Sequence, residues 1–209
     1  MLYYRLKNLI NVTIHDELVL ALTHPDENGK VPLYKIVKSS DISVKLEELA
    51  YRHLPNAGEW KKMVPDIIVT ISPKAHPESQ RKVVIELESD VKWDFAASLR
   101  QIKDYKQFLP LRQKQKYEVI AIIPKEYERY VPKYNDEGID VWLWEAKAEW
   151  ICERCGNKAI TKMERTKILR KCEHEKCNFP DHHLKRLVNV SYEPTQDESL
   201  SVYISSTPS

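Results

Sequence analysis

Cys152 and Cys155 stand with two residues between them, Cys172 follows after sixteen more, and Cys177 after a further four. C-x2-C and C-x4-C pairs match the spacing of a tetrahedral zinc site, in which thiolates on two tight turns converge on one ion. Gly156, directly after Cys155, suits a knuckle turn because a residue without Cβ accepts positive φ. Two disulfides or four free thiols are the other readings, the disulfides only in an intracellular hyperthermophile protein. His174, His182 and His183 are substitute ligands should a cysteine not take part. A shell of four thiolates leaves no open coordination position, so a zinc held there organises a fold and chemistry must lie elsewhere.

Carboxylates supply the second constellation. Asp66 begins one apolar segment, and Glu86 and Glu88 end the next. On a strand, Val84, Glu86 and Glu88 share one face while Val83, Ile85 and Leu87 share the other. Anions crowded among buried residue types are costly unless a cation neutralises them, and Mg2+ or Mn2+ held by carboxylates and water would do so. The alternative is a solvated sheet face on which Glu86 and Glu88 pair with Lys82 or Lys92. A helix follows in which Gln101 and Tyr105, four apart, share a face with Ser98 and Arg112.

Pro65-Asp66, the spacing to Glu86-Leu87-Glu88, and Gln101-Ile102-Lys103-Asp104-Tyr105 together resemble the PD-(D/E)xK nuclease superfamily with a RecB-like QxxxY helix, over about residues 41–144. Similarity to Holliday-junction resolvases and RecB-type exonucleases implies a restriction-endonuclease-like fold, DNA as substrate, a homodimer, and Asp66 and Glu86 as ligands of a catalytic Mg2+ or Mn2+. It implies that Gln101 and Tyr105 position the substrate strand. An acid on the first helix often completes such sites, and Glu47 is the preferred candidate. One departure is visible: the lysine of E-x-K is Glu88 here. Glu88 is then a third metal ligand, a general base, or the mark of a retired site, and Lys92 and Lys103 are candidates for a migrated lysine.

Arg100, Lys103, Lys106, Arg112, Lys114 and Lys116 face a single acid, Asp104, over residues 100–116. Such a cluster neutralises phosphates without reading bases. Its other reading is a solvated helix and loop. In the cysteine region Lys158, Lys162, Arg165, Lys167, Arg170 and Lys171 offer a second basic set that grips DNA or mediates dimerisation.

These residues need elements to hold them. Residues 18–22 and 33–37 read as strands flanking a turn at Pro25–Gly29, and Asp41 as the cap of a helix reaching Leu54. Asp66–Ile71 and Lys82–Glu88 read as paired strands, Asp94–Leu109 as an amphipathic helix, Tyr117–Ile123 as a buried strand ended by Pro124, and Gly138–Trp144 as another strand. Lys125–Tyr134 is a short helix or turn interrupted by Pro132. Trp142 and Trp144 share a strand face, in the core or at a dimer contact. Residues 188–192 and 201–204 read as late strands. The expected architecture is α/β, a mixed central sheet flanked by helices, with a small four-cysteine zinc-binding module. Its divisions are 1–149 for the nuclease-like core, 150–184 for the zinc-ribbon-like module, and 185–209 for returning strands and tail.

Composition sets the outer bounds. The chain has 209 residues and a net charge of +2, so a nucleic-acid surface must come from local clustering. No segment approaches a membrane span, and the N-terminal residues lack a secretory signal pattern, which leads to the expectation of an intracellular, cytoplasmic protein. Charged residues at 31% are compatible with a thermophilic source or an ordinary surface. Three functions follow: a metal-dependent nuclease, a catalytically inactive nucleic-acid-binding protein with the nuclease fold, and a scaffold built on zinc and tryptophans.

Overall fold

The computed structural model describes residues 14–46, 50–54, 59–72, 80–89, 95–113, 117–162, 172, 174, 177 and 182–195. Within the first stretch the chain is helical where strands were expected. Ile14, Leu18 and Leu22 recur every fourth residue, and a helix over residues 14–23 (α1) buries all three while leaving Leu20 49% exposed. Truncating one of these buried side chains to alanine should cost about 2–5 kcal/mol. Asp26 accepts backbone N–H groups from Asn28 and Lys30 at 2.8 Å each, so the Pro25–Gly29 turn joins two helices and not a hairpin. Pro32 then opens α2 (Pro32–Val37), where its missing N–H costs nothing.

The helix expected from Asp41 to Leu54 is instead two strands, β1 (Ile42–Leu46) and β2 (Ala50–Leu54). β1 pairs antiparallel with β4 (Ile67–Ile71) along its whole length, while β2 forms a separate two-stranded sheet with β3 (Glu59–Met63). Capping the edge of β4 satisfies a row of backbone groups, a gain that outweighs the helical spacing of Ile42 and Leu46.

The central strands form as expected. β4 pairs antiparallel with β5 (Arg81–Leu87), and α3 (Phe95–Gln113) carries the chain to β6 (Tyr117–Pro124), parallel to β5. A 3-10 turn (Lys125–Tyr130) and α4 (Val131–Asn135), with Pro132 in its first turn, lead to β7 (Asp140–Cys152), parallel to β6. β7 is a long strand. Its residues 140–144 pair with β6, residues 147–151 pair with β8 (Lys158–Lys162), and β9 (His182–Pro194) runs antiparallel along its other edge. The β7–β9 ladder shifts register between Glu145 and Lys147, close to Asn189, which takes φ 53°.

The sheet is mixed and covered by helices on both faces, so the protein is α/β. On one face Ile67, Val69, Val83, Ile85 and Leu87 pack with Ile14, Leu18, Leu22 and Leu33, and this core continues to Trp142, Trp144 and Trp150. The tryptophan pair thus belongs to the core. On the other face Ile68, Val84, Val119, Ala121 and Ile123 meet Ile102 and Tyr105 of α3 and Tyr127 and Tyr134. Among the described residues no helix is long and apolar enough to cross a membrane.

Candidate functional site

The register of β4 and β5 sets Ile67 beside Ile85, which brings Asp66, just ahead of β4, level with Glu86. The Leu87 N–H donates to Asp66 Oδ2 at 2.7 Å and closes that end of the hairpin. Glu86 shares its sheet face with Val84, the face covered by α3, and is only 6% exposed. Gln101 Nε2 on α3 donates to Glu86 Oε1 and also to the Tyr105 hydroxyl at 2.8 Å. Tyr105 in turn donates to the Val64 carbonyl at 3.1 Å, just before Asp66. The two residues four apart on one helix face therefore form a chain that pins Glu86 and the start of β4 to each other.

Glu86 Oε2 has no hydrogen-bond partner among the described residues, although it is buried. Burial first, and then the charges of Asp66 and Glu88, hold the Glu86 carboxyl well above the usual carboxylate range. A carboxylate oxygen turned inward beside two further acids, with no donor, fits a site for a cation. Glu88 is half-buried next to it, its N–H donating to the Ile122 carbonyl at 2.9 Å and its own carbonyl accepting from Trp144 Nε1 at 2.7 Å.

His15 is a member of this site that the sequence reading missed. Its Nε2 lies 3.1 Å from Asp66 Oδ1, bringing α1 from one side of the sheet to the acid. The hydrogen bond to Asp66, opposed by burial, raises the His15 pKa above its ordinary value. The signal available was the Ile14-Leu18-Leu22 spacing, which places His15 on the flank of a helix. Glu47 lies outside the described residues, between β1 and β2 in the sequence. Lys92 also lies outside them.

The four cysteine sulfurs all fall within 4.8 Å of one another. Cys152 ends β7, and the Gly156 N–H donates to the Cys152 carbonyl and the Cys152 N–H to the Asn157 carbonyl, each at 2.9 Å, with Gly156 at φ 70°. That turn points Cys152 and Cys155 at Cys172 and Cys177. Cys152 and Cys177 sulfurs lie 3.7 Å apart and Cys155 and Cys172 sulfurs 3.5 Å apart. These distances are far too long for a disulfide, near 2.05 Å, and close to the roughly 3.8 Å edge of a tetrahedron with 2.3 Å metal–sulfur bonds. Burial works against ionisation of Cys152, but backbone N–H groups of Cys155 and Arg154 bring its thiol down to about 7. Burial pushes the Cys172 thiol up to about 12. The cluster could hold a metal ion through four cysteines without any histidine.

The basic residues of α3 divide. Arg100 is exposed, whereas Lys103 pairs with Glu137 at 2.7 Å and Lys106 Nζ donates to the Glu137 and Gly138 carbonyls at 2.6 and 2.9 Å. Gly138 has φ 63°, a left-handed conformation that favours glycine; a Cβ there would also meet Lys106 Nζ at 2.7 Å, a contact the flexible end of the lysine can relieve. The Arg112 side chain, Lys114 and Lys116 lie outside the description. No family model, curated protein or solved structure matches the chain.

Proposed function

We propose that the protein is a divalent-metal-dependent nuclease that hydrolyses DNA phosphodiester bonds, on a restriction-endonuclease-like fold carrying a structural zinc at the four cysteines. The observation that supports it most is the buried Glu86 with one oxygen unpartnered among the described residues, level with Asp66 and gripped by the Gln101–Tyr105 chain. In this reading Asp66 and Glu86 hold Mg2+ or Mn2+. The chemistry such an ion supplies when bound is polarisation of a phosphoryl oxygen and activation of water as a nucleophile. Glu88 orients the attacking water and accepts its proton. Gln101 and Tyr105 fix the Glu86 carboxylate, and His15 fixes that of Asp66, so both acids are preorganised.

The acid at position 88, where the family's lysine is expected, favours a second reading, a nucleic-acid-binding protein with a retired site. Incubating labelled single-stranded, duplex, flap and four-way-junction DNA with Mg2+, Mn2+ or EDTA separates the two. Cleavage that needs the metal and disappears in Asp66→Ala and Glu86→Ala supports the nuclease. Binding without cleavage under every condition would pass the case to the second reading.

A further inference from the structure

Beyond residue 144 the sheet face that carries Glu86 loses its helical cover among the described residues. The alternation that puts Val141 and Leu143 against α4 continues through Glu145, Lys147 and Glu149 on the same side of β7. The opposite side, with Ala146, Ala148 and Trp150, stays in the core. Glu149 is only 4% exposed, yet three cations reach it: Arg186 at 2.6 Å, Lys185 at 3.4 Å and Lys158 at 3.7 Å. Glu145 is paired with Lys162 and lies 3.8 Å from Lys125.

Six exposed cations, Lys125, Lys147, Lys158, Lys162, Lys185 and Arg186, stand around three acids, Glu145, Glu149 and Glu193. The register also sets Lys147 directly beside Lys162, whose charge is shared with Glu145. The acids act as anchors that hold long side chains in place on a strand surface, reducing the entropy lost when they meet a ligand. Ile160, next to Glu149 in the ladder, is 62% exposed among these charges.

We infer that this three-strand face of β7, β8 and β9 is a track for the sugar-phosphate backbone of the nucleic acid. The inference deepens the nuclease reading and rests on it. The face lies on the same side of the sheet as Glu86, which sits beside Ala121 on β6; the buried Ala121, Ile123 and Leu143, covered by α4 and the 3-10 turn, stand between the acid site and Glu145. On α3 Lys103 and Lys106 are engaged with the turn at Glu137 and Gly138 and Arg100 is exposed, and on the β7–β9 face Lys147 has no ion pair among the described residues. Cations in excess on a strand surface suit a polyanion, and contacts to phosphate carry no sequence preference.

The test is binding of labelled duplex and single-stranded DNA by the full chain in EDTA, where cleavage plays no part, over about 50–200 mM salt. Zinc content and Tm check the fold of each variant. Lys147→Gln with Lys158→Gln and Lys185→Gln is expected to weaken low-salt binding at least about tenfold and to lower the slope of log K against log salt by about 2–3. Lys147→Gln alone, which breaks no ion pair among the described residues, should lower the slope by about 1, and Lys103→Gln should change affinity less than about twofold. A triple variant that binds with unchanged slope would overturn the inference while leaving metal-dependent cleavage untouched. Polyglutamate competing as well as DNA would also overturn it, by assigning the face to an acidic protein. Absence of DNA binding by the wild type at low salt would remove both this inference and the nuclease reading.

Discussion

Two clusters of side chains, four cysteines and a group of acids, sit at strand ends in this molecule, and their partners are complete to different degrees. At the end of β7 four cysteines converge at the spacing of a tetrahedron, and backbone donors in the same turn support the sulfurs. At the ends of β4 and β5 the acids are held from behind by His15, Gln101 and Tyr105, but Glu86 keeps an oxygen without a partner among the described residues. The first set could hold an ion with all four sulfurs and leave nothing over, as a structural site does; the second leaves one buried carboxylate oxygen unmatched among the described residues. A closed shell ties β7 to the segment ahead of β9, whereas an open one keeps positions for water and substrate.

The cysteine set should be the one whose loss damages the fold most. Cys172→Ser is expected to abolish stoichiometric zinc and lower Tm by about 10 °C, because metal affinity there is folding free energy. An unchanged Tm with zinc absent would remove the ion from the account of stability.

The acid set should show the opposite sign. Glu86→Gln removes a buried carboxyl whose ionised form lacks a counter-ion and which folding therefore pushes towards its neutral form at a cost, so the metal-free variant is expected to melt roughly 2–6 °C higher than the wild type while losing cleavage. Added Mn2+ should raise Tm in the wild type and not in the variant. A destabilised metal-free Glu86→Gln would show that the carboxylate is structural.

The smallest effect concerns the ribbon between the two sets. The hydrogen bond from Arg186, with Lys185 beside it, holds Glu149 below the usual carboxylate range, and Lys162 does the same for Glu145. A depressed carboxylate pKa gives stability that is present above the unfolded-state value and is lost as pH falls through the folded-state value. Glu145→Gln with Glu149→Gln should therefore lower Tm at pH 7, and the gap from the wild type should shrink towards zero on acidification below about pH 4. A gap that is constant with pH would show that these pairs contribute nothing.

Much of the centre of this fold was legible because β4, β5 and β6 are buried on both faces and read as short apolar runs with clear turns. The same rule misled at residues 18–22, where Leu-Val-Leu-Ala-Leu reads as a strand although its buried members, Leu18 and Leu22, are four apart. β1 was misread in the other direction, since pairing with the edge of β4 is a long-range gain that no local spacing records. The acids, Gln101 and Tyr105 were found because strand alternation and helix spacing are local signals. His15 was not, because its partner Asp66 lies 51 positions away and on another element. The cysteines carried their geometry in their spacing, whereas the cationic face of β7 to β9 depends on a three-strand register that sequence alone does not disclose.

The central claim is that Asp66 and Glu86 hold a divalent cation distinct from the cysteine-bound ion. Titrating Mn2+ into the zinc-loaded protein and counting bound Mn2+ by electron paramagnetic resonance, with Asp66→Asn and Glu86→Gln alongside, tests it directly. The account predicts saturable Mn2+ binding in the wild type that is lost in both variants while zinc content stays constant. Mn2+ binding that is absent from the wild type, or that survives both substitutions, would contradict it.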